Sequence, residues 1–316
     1  MCGGGRSQRG TDNPRHPLET LPTAPLMPYF KHPFGQTFYQ VRGSKRSSGL
    51  PIICLHGGPG GHSHFMTDLF SLADDRQVVI YDQVGGGRSS PTEKKLWKVQ
   101  TFVTELELLV KHLGFERFQL FGGSWGTTLA LEYYLKGRNR NKVASLVFQS
   151  PMFSAVDWRR DANQLIAKLP AKERKIIRYC HEIDATDSKV YQDAMKLYYA
   201  RHVCRNKAKS NRGALIKNSH GKQVYKHMWG ASEFSATGSL RNYNKVNQLG
   251  KIDCPTLFIC GEHDEARPDT AKRYAKKVPD SNFVEIKSAS HAILAEKPSQ
   301  LVNIIRRFVA RIDINK

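Results

Sequence analysis

The segment Phe118-Gln119-Leu120-Phe121 runs straight into Gly122-Gly123-Ser124-Trp125-Gly126, and Thr127 to Lys136 then reads as a helix. A strand that enters a helix through so short a turn constrains the fold more than any other feature, because such units build parallel sheets. Glycines on both sides let strand and helix approach without Cβ clashes, and the serine at the apex of the strained turn carries an exposed hydroxyl. The bare G-x-S-x-G pattern is weak evidence: composition alone yields it on the order of 0.1 times in a chain this long, so its flanks carry the weight.

The rest of the chain repeats the same rhythm. Short β-branched and aromatic runs at Gln36 to Val41, Pro51 to Leu55, Gln77 to Tyr81, Val143 to Phe148, Pro255 to Cys260 and Asn282 to Ile286 alternate with helix-length stretches. Phe102, Leu106, Leu109, Val110 and Leu113 recur at helical spacing before a stop at Gly114, and Leu301, Ile304, Ile305, Phe308 and Val309 do so near the C-terminus. Between about Pro151 and Gly250 the rhythm breaks. The helical stretches there are Asp161 to Lys168, Ala171 to His181, Val190 to Arg201 and Tyr225 to Trp229. The expected class is α/β: the α/β-hydrolase fold, a mainly parallel sheet flanked by helices, with a core over 27–150 and 251–316 and an inserted helical cap over 151–250. Residues 1–26 read as a flexible tail with no apolar segment of signal or membrane type.

A serine hydroxyl is a poor nucleophile until a base takes its proton, and this architecture supplies the partners in the order Ser, Asp, His. Asp264 follows the Pro255 to Cys260 run and His291 the Asn282 to Ile286 run, each just past a strand end. Glu262, Glu265 and Asp269 stand close by, and position after the strand selects Asp264 among them. Oxyanion donors are expected from the N–H of Trp125 and from the loop His56-Gly57-Gly58-Pro59-Gly60-Gly61, where glycine lets the backbone approach a substrate.

Other features point to no cofactor or metal. His62 and His64 lack a third ligand of recognisable spacing, and Gly85-Gly86-Gly87-Arg88 lacks the lysine and helix start of a phosphate loop. Cys2, Cys54, Cys180, Cys204, Cys254 and Cys260 form no CxxC pair, which suits a reduced, cytoplasmic chain. The net charge of +21 is densest over Arg201, Arg205, Lys207, Lys209, Arg212, Lys217, Lys222 and Lys226. Without a zinc, RNP-like or helix-turn-helix pattern the run reads as solvated helix faces; a basic nucleic-acid-binding protein is the weaker alternative.

Taken together, His56-Gly57-Gly58-Pro59-Gly60, Asp82 to Ser89, Gly122 to Gly126, Trp229-Gly230-Ala231-Ser232-Glu233-Phe234 and Gly261-Glu262-His263-Asp264-Glu265 resemble the proline iminopeptidases from about Tyr39 onward. The resemblance implies a serine exopeptidase that removes an N-terminal residue, often proline, from peptides with a free N-terminus. It implies Ser124, Asp264 and His291 as triad, Gly58 and Trp125 as oxyanion donors, and Glu233 and Glu265 as the carboxylates holding the substrate amine. Met228 and Trp229 are expected in the pocket wall. The family often carries arginine or phenylalanine at Val84 and cysteine at Gly86, so an amino-acid amidase or a small-ester or lactone hydrolase stays open as an alternative.

Overall fold

The computed structural model describes residues 1, 28–136, 138–206 and 218–314, except the side chain of Ser219. The expected tail, Met1 apart, and Lys207, Lys209, Arg212 and Lys217 of the basic run lie outside the described residues.

Eight strands form one sheet: β1 (Tyr29–His32), β2 (Gly35–Arg42), β3 (Ile52–Leu55), β4 (Val78–Tyr81), β5 (Phe118–Gly123), β6 (Val143–Gln149), β7 (Thr256–Gly261) and β8 (Ser281–Ile286). Their spatial order is β1-β2-β4-β3-β5-β6-β7-β8. The pairs β1/β2 and β2/β4 are antiparallel, and all others are parallel. β1 is absent from the sequence reading because only Phe30 of its four residues is buried, which leaves no alternation to detect.

Strands β3 to β7 are buried along their whole length, and successive side chains go to opposite faces. Ile53, Leu55, Val79 and Leu120 join Phe102, Leu106, Leu129 and Tyr133 of the helices Val99–Leu113 and Trp125–Leu135. Ile52, Cys54, Ile80 and Phe121 join Leu69 and Leu72, with Leu301 and Ile305 of the helix Pro298–Ile314, on the other face. Each such side chain contributes roughly 1.5–3 kcal/mol by leaving water, so both faces are pinned and the register cannot slip. The helix Val99–Leu113 stops at Gly114, which takes the left-handed conformation (φ 69°) that glycine adopts without a Cβ penalty.

The chain between β6 and β7 is helical: Ala155–Ile166, Ala171–Glu182, Lys189–Tyr198, a wide π-type turn Tyr199–Val203, and Ser219–Met228. The first of these begins well before the expected Asp161, because Ser154 caps it, its Oγ accepting from the Asp157 N–H at 3.1 Å. The last begins before Tyr225 through polar turns that carry no apolar period. The helix expected to reach Arg201 gives way at Tyr199 to the wider turn. Leu165, Ile177, Tyr191, Met195 and Phe234 give these helices an apolar cluster of their own.

β3 leads to β4 on one side of the sheet, whereas its neighbour β5 leads to β6 on the other. Loops leaving adjacent strands in opposite directions open a crevice at their carboxyl ends, which is where open α/β sheets place ligands. His56–Gly61 and Ser124 stand at that crevice. Among the described residues no helix is long and apolar enough to cross a membrane.

Candidate active site

Ser124 has φ 52° and ψ −120°, a conformation that costs a non-glycine residue about 1–3 kcal/mol and persists only where its surroundings enforce it. They do so here: the Ser124 N–H donates to the Gln149 carbonyl at 2.9 Å and its own carbonyl accepts from the Thr127 N–H at 2.8 Å. Both flanks require glycine, since a Cβ at Gly122 would collide with the Gly126 carbonyl, and one at Gly126 with the Leu55 carbonyl.

Asp264 is buried at the end of β7 and fully bonded. Its Oδ1 accepts from the Ala266 N–H at 2.9 Å, and its Oδ2 from the Ser150 hydroxyl at 2.6 Å and the Gly261 N–H at 3.3 Å. His291 Nδ1 lies 2.8 Å from Asp264 Oδ1, leaving Nε2 free for the cavity that His291 and Ser124 both line. Burial opposes a charge on His291, but Asp264, through its charge and hydrogen bond, together with Glu265 and Glu233, outweighs it and raises the imidazole to about 9. The His291 N–H and Ala292 N–H donate to the His202 and Val203 carbonyls at 3.1 and 2.8 Å, so the inserted segment grips the histidine loop.

Glu233 and Glu265 are near enough for their charges to interact, but of the two only Glu233 lines the cavities beside Ser124. Glu233 lines the cavity, and its backbone is fixed by Trp158 Nε1 and Trp229 Nε1, which donate to its carbonyl at 2.8 and 3.0 Å. Glu265 is buried with neither carboxylate oxygen hydrogen-bonded, 4.0 Å from His291 Nδ1. Burial raises both carboxyl groups; His291 opposes the rise, and at Glu265 the charges of Glu233 and Asp264 add to it. Trp229 stacks edge-on against Trp158 at 5.7 Å, and Trp158 meets the His291 ring at the same distance. With Trp125, Met152 and Tyr225 these indoles line a recess of about 20 Å³ beside Ser124 and Glu233. Met228, expected in the wall, lines neither cavity: it is fully buried in the apolar core, as the inward side of its helix requires.

Gly58 takes φ 52° beneath the Tyr225 ring, 3.4 Å from where a Cβ would sit. The loop is held by Gln83, which sequence reasoning missed. Gln83 donates its N–H to His56 Nε2 at 3.0 Å and its Nε2 to the His56 carbonyl at 3.1 Å, and its Oε1 accepts from Trp125 Nε1 at 2.9 Å. One buried side chain thus ties together the two segments that carry Gly58 and Trp125. The Gly85–Arg88 stretch is a turn around a carboxylate: Asp82 accepts from the Ser63 N–H and hydroxyl, both at 2.6 Å, and from the Arg88 N–H and Nε at 2.8 and 2.9 Å. Burial alone would raise Asp82, yet the bonds to Arg88 and Ser63 hold it below the usual carboxylate range.

Residues 51–298 match the family described as alpha/beta hydrolase fold. The proline iminopeptidase of Heyndrickxia coagulans is 35% identical over 268 residues, which cover 84% of this chain and 92% of that protein. The chain belongs to the proline iminopeptidase family, on the α/β-hydrolase fold. It is a hydrolase. The proline iminopeptidase of Lactobacillus acidophilus is 30% identical, over 87% of this chain and 94% of its own. The crystal structure of the proline iminopeptidase of Mycobacterium smegmatis matches with a TM-score of 0.82 at 31% identity, over 91% of this chain and 99% of that one. At Gly86, where the resemblance leads to an expectation of cysteine, a Cβ would collide with the Gly61 carbonyl, so this loop has no room for a side chain.

Proposed function

We propose that the protein is a serine exopeptidase that releases an N-terminal residue, preferentially proline, from peptides through an acyl-enzyme. The observation that carries this reading is the carboxylate of Glu265, buried without a hydrogen bond, 4.0 Å from His291 and repelled by the charge of Glu233. Two carboxylates in a closed site repel each other and lose hydration, and the ammonium of a free N-terminus offsets both costs. An acylated N-terminus has no such charge and leaves both groups uncompensated.

In this mechanism Ser124 Oγ attacks the carbonyl carbon of the N-terminal residue while His291 Nε2 takes its proton, with Asp264 fixing the ring at Nδ1. The N–H groups of Gly58 and Trp125 stabilise the oxyanion. His291 then protonates the departing amine, and water, activated by the same imidazole, releases the acyl group. The recess bounded by Trp158 and Trp229 limits the acyl side to one residue, and the helices over 151–250 act as a cap that closes it.

The test is steady-state hydrolysis of a proline arylamide with a free amine, beside its N-acetylated form, by wild type, Ser124→Ala and Glu233→Gln. The expected result is cleavage of the free-amine substrate alone, abolished in Ser124→Ala and strongly reduced in Glu233→Gln. Equal cleavage of both substrates would remove the amine clamp, and full turnover by Ser124→Ala would remove the nucleophile.

A further inference from the structure

Ser124 lines two unlike spaces, which also share Gly58, Tyr225 and Glu233. The recess beside Glu233 is small and walled by indoles. The other space, about 380 Å³, extends past His291 and is lined on a side that the recess does not share by Phe65, Met66, Ile293 and Leu294. Met66, Ile293 and Leu294 are already buried in the core below. Phe65 is not: it is 43% exposed, the one large exposed hydrophobic residue among those that line this cavity.

Exposed though it is, Phe65 is held in place. Its ring lies flat on the His62 imidazole, centroids 4.4 Å apart and planes 19° from parallel. His62 is itself buried, and burial, helped by His56, lowers it to about 4, so the ring beneath Phe65 carries no charge near pH 7. An aromatic side chain held at the wall of the cavity that Ser124 also lines, and left partly exposed, is a ready surface for an apolar group, and such a side chain binds with little loss of freedom.

We propose that this space is a subsite for the leaving residue of the substrate, that it selects an apolar or aromatic side chain there, and that Phe65 is its platform. The inference rests on the exopeptidase reading, since it assigns the recess to the released residue and the larger space to the amine that departs. Ser124 acylation then depends on how firmly that leaving residue is seated. A hydrophobic subsite discriminates by a factor of ten or more between an apolar side chain and none.

The experiment compares kcat/KM for prolyl-glycinamide, prolyl-leucinamide and prolyl-phenylalaninamide, all with free N-termini and no terminal carboxylate, on wild type, Phe65→Ala and Phe65→Leu. The expected phenylalanine-to-glycine ratio is about tenfold or more for wild type. It should fall within about twofold of unity in Phe65→Ala and stay intermediate in Phe65→Leu, which keeps an apolar surface. A flat wild-type series, or the same ratio in all three proteins, overturns the subsite while leaving the exopeptidase reading intact. Failure to cleave any free-amine prolyl amide, the proline arylamide included, removes both.

Discussion

Two buried carboxylate sites of this molecule are built in opposite ways. Asp82 is surrounded by donors from Ser63 and Arg88 and carries its charge at ordinary pH. Glu265, as deeply buried, has no hydrogen bond to either oxygen and stands between the His291 imidazole, 4.0 Å away, and the charges of Glu233 and Asp264. A protein removes a carboxylate from water at low cost only if it supplies partners. Asp82 therefore belongs to the architecture, whereas the lack of hydrogen bonds at Glu265 is what the proposed amine-holding role would use.

The largest expected effect tests the open site. Glu265→Gln should lower kcat/KM for a free-amine prolyl substrate by about a thousandfold, because a charge-assisted contact to a buried ammonium is lost, while unfolding free energy at pH 7 stays level or rises. The sign follows from the raised carboxyl: folding favours the protonated form, so wild-type stability declines as pH climbs above 4.5, and the variant should lack that decline. Parallel denaturant titrations from pH 4 to 8 would reveal it. The closed site should behave in reverse. Asp82→Ala should cost roughly 3–5 kcal/mol of stability, read from the shift in denaturant midpoint, since it strands Arg88 and the Ser63 donors.

A smaller effect is expected at Gln83. Gln83→Leu should lower kcat on the order of tenfold with KM little changed, because Gly58 and Trp125 lose alignment while the amine site is untouched. Unfolding measured beside it separates misalignment from collapse. The smallest effect is on protonation. The His291 imidazole of the free enzyme should titrate near 9 by NMR, so kcat/KM should rise with pH up to that region. In Glu265→Gln the titration should move down toward 6.5, and an unmoved value would mean that the acids around Glu265 do not act on the imidazole.

The sheet was legible in the sequence because β3 to β7 are short, wholly apolar runs, and the strand–turn–helix at Ser124 fixed where the crevice opens. Asp264 and His291 were legible because each follows a strand end, and the structure places them 2.8 Å apart. Gln83 and Ser150 were not. Their partners, Trp125 and Asp264, lie 42 and 114 residues away, and a polar residue in a turn gives no sign of which distant atom it will meet. Met228 was misplaced for a related reason: Trp229 next to it faces the recess, and neighbours on a helix end point in different directions. The early start of the last inserted helix was hidden in the polar stretch before Tyr225, whereas the first opens on Ala155, Val156 and Trp158 behind the Ser154 cap, apolar residues that lie ahead of the expected start at Asp161.

The grip of the inserted segment on the histidine loop limits how this enzyme can be re-engineered. Because the amides of His291 and Ala292 are satisfied by the carbonyls of His202 and Val203, the segment over the sheet is not an exchangeable module. A transplanted insertion that changed the indole-walled recess but lacked two acceptors at that spot would leave two main-chain donors stranded beside the imidazole, and a graft must reproduce that pair before its own specificity can be read.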